Sequence, residues 1–334
     1  MAQIASLPRP ADRRSVVAVG AMLVAVALVV SVGDPGRFAW VRTFFVVFGS
    51  LLIQALPFVL LGALAAALVE VFVPIGWFEK LGILPRPLQL PAAAMAGLAF
   101  PICECGSVPV ARRLMQRGLM PSAAVTFMLA APVLNPVVIA STFVAFRGRT
   151  TLWTMVGGRF LLGMLAAIAV GWVIGNRSKD ELLKPNPEEA DEHLLELGRP
   201  EARWRRFFVH LGNDFLFMGR YLLLGATIAA AIQTFLPTSL LTGLAERQAI
   251  SILAMMALAA ALSLCSESDA FVAASFVQFG PSAMLGFLVF GPMVDLKLVS
   301  LYAGTFRRGF ARTVVLIAAA ATFVGALWVG VAFG

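Results

Sequence analysis

The sequence predicts an all-α, polytopic helical membrane protein, and three observations predict it. Hydrophobic residues make up 60% of the 334 positions, charged residues only 13%, and the mean hydropathy is +0.89. Soluble domains usually carry about 45 to 50% apolar residues, so the solvent for most of this chain is lipid. Apolar runs over 15–32, 43–73, 121–146, 151–175, 216–236, 281–306 and 313–333 reach or approach the roughly 20 residues that cross a hydrocarbon core. The third observation is an internal repeat. LPFVLLGALAAALVEVFVP at 56–74 matches GRYLLLGATIAAAIQTFLP at 219–237 at eight of nineteen positions.

Taken in order, residues 1–40 hold Arg9, Arg13 and Arg14 ahead of the first apolar run, with no small-residue cleavage site after it. This reads as a retained signal-anchor helix with its amino end in the cytoplasm. Residues 41–175 form a first transmembrane repeat, 176–207 a polar cytoplasmic linker, and 208–334 a second repeat. The linker ends in ARWRRFF, which reads either as a basic aromatic segment at the membrane surface or as plain solvated linker. The net charge of +8 is spread over short loops rather than gathered into a stripe, so it reports membrane orientation, and no nucleic-acid partner is expected.

The repeat continues without gaps from 105–147 onto 265–307, where the identities fall on Cys105/Cys265, Pro121/Pro281, Ser122/Ser282, Ala123/Ala283, Phe127/Phe287, Pro132/Pro292, Phe146/Phe306 and Arg147/Arg307. If 90–118 is a full span the halves are parallel, and the basic residues divide evenly between the two sides. If it is a re-entrant hairpin, each half has three spans plus a hairpin, the halves are inverted, and most Lys and Arg fall inside. The positive-inside rule selects the inverted arrangement, with Arg147 and Arg149 as its main exceptions. Inverted repeats with interrupted helices are a common plan of secondary transporters, with the site near the midplane where the breaks meet.

At the first break the chain reads FPICECGSVP. Gly106 suits a sharp turn, Ser107 an N-cap, and Pro109 the first turn of a short helix to about Gln116. The matching point reads LCSESDAF, where Ser266 or Ser268 suits a cap and Asp269 the first turn. Each half therefore aims a helix amino end, which favours negative charge, at its thiols. The second breaks are AAPVLNP and FGPMVDLK, which align Asn135 with Asp295 and place Lys297 two residues on. Asp295 with Lys297 reads as a pair, and Glu267 and Asp269 as protonatable acids; their roles divide between ion coupling and a structural ion pair.

Three cysteines, two of them in one C-x-C, make no disulfide framework. Cys105 and Cys265 are repeat equivalents, so an inverted axis brings them together with Cys103 beside them, and three thiols suit a thiophilic ion. Redox exchange through the C-x-C and a purely structural role are the alternatives. Glu104 is open to three roles: ligand, proton acceptor, or the residue that keeps the turn hydrated. His193 and His210 lie in or beside the linker, which leaves no imidazole pathway, and Arg159 and Arg220 fall inside spans. No Walker loop, nucleotide fingerprint or H-E-x-x-H occurs, which argues against an ATP-driven pump or metalloprotease, and no cofactor is expected.

On FPICECGSVPVARRL with GLMPSAAVTFMLAAPVLNPVV, and LCSESDAFVAASF with FLVFGPMVDLKL, the chain resembles the predicted permeases related to YraQ and to the ArsP arsenical efflux permeases. The resemblance covers most of 41–333. It implies export of trivalent arsenicals or related metalloids across a bacterial inner membrane, driven by an ion gradient. Cys103 and Cys105 match the family's C-x-C-G-x-x-P turn and Cys265 the thiol of the second turn; Glu104 stands where a small polar residue is expected. The resulting expectation is a permease that binds a soft ion or metalloid through Cys103, Cys105, Cys265, Glu104, Asn135 and Ser266, with the metal or metalloid on the three thiols. Glu267, Asp269, Asp295 and Lys297 would couple transport to a second ion, the proton. Lipid is the other expected partner, and the alternatives are a membrane thiol–disulfide oxidoreductase and a permease for another small solute.

Overall fold

The computed structural model describes residues 39–72, 85–99, 102–175, 177–184, 203–235 and 247–333. The predicted signal-anchor helix and most of the linker lie outside them. Among the described residues the chain is helical, with one isolated bridge between Leu183 and Phe306. The first half contains α1 (Ala39–Phe72), α2 (Arg86–Ala99), α3 (Glu104–Gln116), α4 (Pro121–Leu134), α5 (Pro136–Ala145) and α6 (Leu152–Ile174). A single turn, α7 (Lys179–Leu182), opens the linker. The second half contains α8 (Arg203–Phe235), α9 (Gln248–Leu262), α10 (Asp269–Ser275), α11 (Pro281–Phe290), α12 (Leu296–Thr305) and α13 (Phe310–Phe333). ARWRRFF does not form a separate surface segment: from Arg203 onward it is the start of α8.

Among the described residues five stretches are long and apolar enough to cross a membrane: Trp40–Leu68, Pro121–Ala145, Leu152–Ile174, Phe207–Phe235 and Phe310–Ala332. A 23-residue helix rises about 35 Å, more than a hydrocarbon core of about 30 Å. By the same arithmetic α2 and α3, with 14 and 13 residues, rise only about 20 Å each, the length of hairpin arms rather than spans. The apolar run 281–306 is divided between α11 and α12.

The halves repeat in structure as well as in sequence. The pieces of the broken helices, α4 and α11, begin at 121 and 281; α5 and α12 begin at 136 and 296 and end at 145 and 305. Packing is reciprocal: α2 lies on α4 as α9 lies on α11, α4 on α6 as α11 on α13, and α3 on α12 as α10 on α5. The pairs α1·α8 and α6·α13 each join equivalent helices. The reciprocity is incomplete: α6 also packs on α11 without α13 packing on α4, and among the described residues α1 packs along α3 and α8 along α12 with no comparable packing of α8 on α10 or of α1 on α5.

Burial follows this plan. Nearly every residue of α3, α4 and α11 is buried, while α1, α6, α8 and α13 turn Leu, Ile, Val and Trp side chains outward. α3 reaches the centre because two backbones approach closely. A Cβ on Gly106 would lie 2.9 Å from the Gly62 Cα and 2.9 Å from the Ile102 side chain, so both crossing residues have to be glycine. Gly106 therefore serves helix packing inside α3 and not the sharp turn expected from the sequence.

Gly106→Val and Gly62→Val each force α1 and α3 apart and should cost about 1 to 3 kcal/mol, by the usual scale for overpacking. Gly49→Ala, where a Cβ meets nothing within 4 Å, should leave stability unchanged. Thermal unfolding of the detergent-solubilised protein reads the difference.

Candidate functional site

Cys103 occupies the N-cap position of α3, with extended backbone, and Gly106 N and Ser107 N both donate to its carbonyl. The helix thus begins at Glu104, three residues before the expected cap Ser107, whose hydroxyl instead donates to the Glu104 carbonyl at 2.9 Å. Pro109 sits inside the helix, not at its first turn. In the second half α10 begins at Asp269 with Ser268 at the N-cap position, and Asp269 lies in the first turn as the sequence indicates. Ser266 is not the cap. α9 stops at Ser263, whose φ of 48° is the only positive value at a non-glycine among the described residues. Its Oγ accepts from Leu296 N at 3.2 Å, which ties the end of α9 to the start of α12.

The second breaks show why the repeat pairs Asn135 with Asp295. Asn135 Oδ1 accepts from Val137 N at 2.9 Å to cap α5, and Asp295 Oδ1 accepts from Leu298 N at 2.6 Å to cap α12. These are the same N-cap in two copies. Tyr302 donates its hydroxyl to the Met293 carbonyl at 3.0 Å, which occupies an acceptor of the turn between α11 and α12.

These termini converge on one buried polar chain. Thr142 and Asp269 both accept from Arg159: Oγ1 at 2.9 Å, and the two carboxylate oxygens at 2.9 and 2.8 Å in a forked pair. Arg159 also donates to the Ser266 carbonyl at 3.3 Å. Ser266 Oγ in turn donates to Glu104 Oε2 at 2.7 Å, joining the tip of one half to the tip of the other. Beyond Glu104, Lys297 Nζ stands 3.8 Å from Glu104 Oε1 and 3.6 Å from Asp295 Oδ2. Glu104, Arg159, Asp269, Asp295 and Lys297 are all buried, so each charge depends on these partners.

The three thiols belong to the same cluster. Cys103, Cys105 and Cys265 are buried and free of disulfides. Cys105 lies within electrostatic reach of Cys103, Glu104, Lys297 and Asp295, and Cys265 of Cys105, Glu104, Glu267 and Lys297. Of the residues singled out in the sequence, Cys103, Glu104, Cys105, Cys265, Ser266, Glu267, Asp269, Asp295 and Lys297 are brought together, while Asn135 uses its side chain as a cap.

Two features escape a sequence reading. Thr142 carries no motif, and only folding places it on Arg159. The other is the foot of the hairpin: Arg112 donates to the Thr305 and Lys184 carbonyls, and Arg113 makes a forked pair with Asp214 on α8, at 3.1 and 3.3 Å, beside His210. Both arginines are buried in α3. Arg220 lies over the rings of Phe217 and Tyr221, 4.5 and 5.2 Å from their centroids.

With this geometry in place the comparisons with known proteins are decisive. A family model described as predicted permease, ArsP_1, matches residues 41–331. The chain belongs to this permease family. The UPF0718 protein YcgR of Bacillus subtilis (strain 168) is 37% identical to the permease over 285 residues, 85% of this chain and 95% of the relative. A protein of Streptococcus mutans serotype c, named as a putative two-component membrane permease complex subunit, is 33% identical over 269 residues, 79% of this chain and 87% of that one. No solved structure matches. The permease is a multi-pass membrane protein, as its family and its several long apolar helices indicate.

Removing one member of the Arg159–Asp269 pair strands the other in the interior. Asp269→Asn should therefore cost about 3 to 5 kcal/mol in thermal unfolding, and Arg159→Met with Asp269→Leu together should recover most of it.

Proposed function

We propose that the permease exports a thiophilic metal or metalloid species, such as arsenite, antimonite or a trivalent organoarsenical, by secondary active transport through a site between its two halves. The observation that supports this reading is that the buried Cys103, Cys105 and Cys265 lie near a connected set of buried charges where the helix breaks of both halves converge. Non-helical backbone at membrane depth is tolerated only where protein or a hydrated pathway surrounds it. Cys103, Cys105 and Cys265 supply the soft ligands. Glu104 and Ser266 hold the two tips together around them, and Asn135 keeps the start of α5 in place.

Alternating access is supported by this departure from reciprocity. Among the described residues α1 and α8 pack on the α3·α12 side and not comparably on the α5·α10 side. Exchange of the two halves' conformations yields a second state in which α8 meets α10 and α1 meets α5. Asp269 and Asp295, now paired with Arg159 and Lys297, lie at the two interfaces that this exchange affects. With Glu267, they are the groups through which proton movement is coupled to the change. The permease sits in the bacterial inner membrane with its amino end and linker in the cytoplasm, and the two repeats are inverted.

A second reading, a thiol–disulfide oxidoreductase using the C-x-C pair, is favoured only by the adjacency of Cys103 and Cys105. A flux panel in everted vesicles separates the two: arsenite, methylarsenite and antimonite, with wild type and with Cys103→Ser, Cys105→Ser and Cys265→Ser combined. Uptake of at least one of these species that falls about tenfold or more in the triple variant supports the thiol site, since a lost soft ligand of this kind is worth at least ~1.4 kcal/mol. Undiminished flux contradicts it, and reversible oxidation of the C-x-C without flux selects the oxidoreductase. Labelling of residues 180–195 by an impermeant reagent from outside the cell contradicts the assigned orientation.

A further inference from the structure

Buried acceptors normally find donors, and three carboxylate oxygens in the central cluster do not. Glu104 Oε1, Glu267 Oε2 and Asp295 Oδ2 are buried without a hydrogen-bond partner. Lys297 stands near two of them, but at 3.8 and 3.6 Å from Glu104 and Asp295 it is beyond hydrogen-bonding distance of both. The cluster therefore holds more negative acceptors than it holds donors, on a side chain, Glu104, that is 1% exposed. One sulfur lies among them. A ligand atom from each of Glu104, Cys265 and Glu267 falls within 4.8 Å of the other two. Three protein donors around one point, with orphaned oxygens on two of them, make a cation site rather than an acidic patch.

We propose that Glu104, Cys265 and Glu267 bind a divalent transition-metal cation of intermediate softness, the class of Zn²⁺ and Co²⁺. The donor set selects the class. Ca²⁺ and Mg²⁺ take oxygen ligands in larger number, and a purely soft ion prefers sulfur throughout, whereas one thiolate with two carboxylates suits a borderline ion. Bonds of about 2.0 Å to oxygen and 2.3 Å to sulfur set tetrahedral ligands roughly 3.5 Å apart, so side-chain rotation of these residues closes the site. Cys265 binds as the thiolate, and its proton leaves to solvent as the metal arrives. The cation displaces Lys297 from Glu104 toward Asp295, whose Oδ2 has no hydrogen-bond partner to give up.

Glu104 and Cys265 come from opposite halves, so the cation bridges them where Ser266 already does. Cys265 also belongs to the thiol set of the proposed transport site. The divalent cation and a soft trivalent substrate therefore exclude one another, and this consequence for transport rests on the permease reading. Binding of the cation does not.

The test is titration of the purified full-length protein in detergent with Co²⁺, read by the thiolate-to-cobalt charge-transfer absorption, with Zn²⁺ as competitor. Saturable binding with that band is expected in wild type. Cys265→Ser should abolish the band, and Cys103→Ser should leave it. Glu104→Gln and Glu267→Gln should each weaken binding on the order of tenfold by removing a charged ligand. Lys297→Met should strengthen it by removing the competing ammonium. In the unaltered protein Zn²⁺ should slow alkylation of Cys265 selectively, as mapped by mass spectrometry, which settles the assignment even if a variant fails to fold. A band that survives Cys265→Ser, alkylation of Cys265 unaffected by Zn²⁺, or wild-type protein that takes up no Co²⁺ overturns the proposal. Absence of soft-ion flux in vesicles would refute the permease reading and leave the binding result standing.

Discussion

The Ser266–Glu104 hydrogen bond is the contact on which the centre of this molecule depends. It closes a 2.7 Å link between the tips of two breaks separated by 162 residues of chain, and it stands at the junction of two ionic groups. On one side Arg159 holds Asp269 and the Ser266 carbonyl; on the other Lys297 stands between Glu104 and Asp295. Five buried charges are then members of one chain rather than separate defects. In a low-dielectric interior a charge with partners of opposite sign is tolerated where an isolated charge is not. The link also fixes what the helices can do. α3 and α10 are short, and each is held on the second piece of the other half's broken helix, so the breaks are supported by protein on both sides.

The repeat keeps backbone roles and changes chemistry. At matched positions Asn135 and Asp295 both cap a helix, but only Asp295 brings a charge, and two residues further on the pair is Val137 and Lys297. Among the described residues Val137 is 54% exposed, whereas Lys297 is buried on the helix that α8 packs along. Two copies of one scaffold thus provide one charged interface at α3·α12 and a different one, built on Arg159 and Asp269, at α5·α10. A symmetric pair of interfaces with unequal charge is a suitable base for two states of unequal protonation or occupancy.

Much of this was legible in the sequence because it is written in local signals. Pro121 and Pro281, Pro136, and the Asn135/Asp295 caps mark helix starts within a few residues, and the starts of α4, α5, α11 and α12 fall where the repeat puts them. The repeat also pairs Cys105 with Cys265, but the ligand atoms that fall within 4.8 Å of one another belong to Glu104, Cys265 and Glu267 and not to the three thiols. What could not be read is long-range. Glu104 had three open roles because its partners, Ser266 and Lys297, belong to the other half. Gly106 looked like a turn residue because its real constraint, Gly62, lies on another helix. The partners of Arg112 and Arg113 could not be read because Asp214, and the carbonyls of Lys184 and Thr305, reach them only through folding.

The account's central claim is that the two halves touch at residues 104 and 266. It is tested most directly by cross-linking Glu104→Cys with Ser266→Cys in a background whose three native cysteines are replaced by serine, using a short bis-methanethiosulfonate, which joins the two thiols through reducible disulfides. A protease site placed in the linker between 185 and 202 lets the halves be separated afterwards. The account predicts that reagent-treated protein migrates as one species after cleavage, and as two once the link is reduced. Halves that separate freely after treatment, with both cysteines shown to be modified, would contradict it.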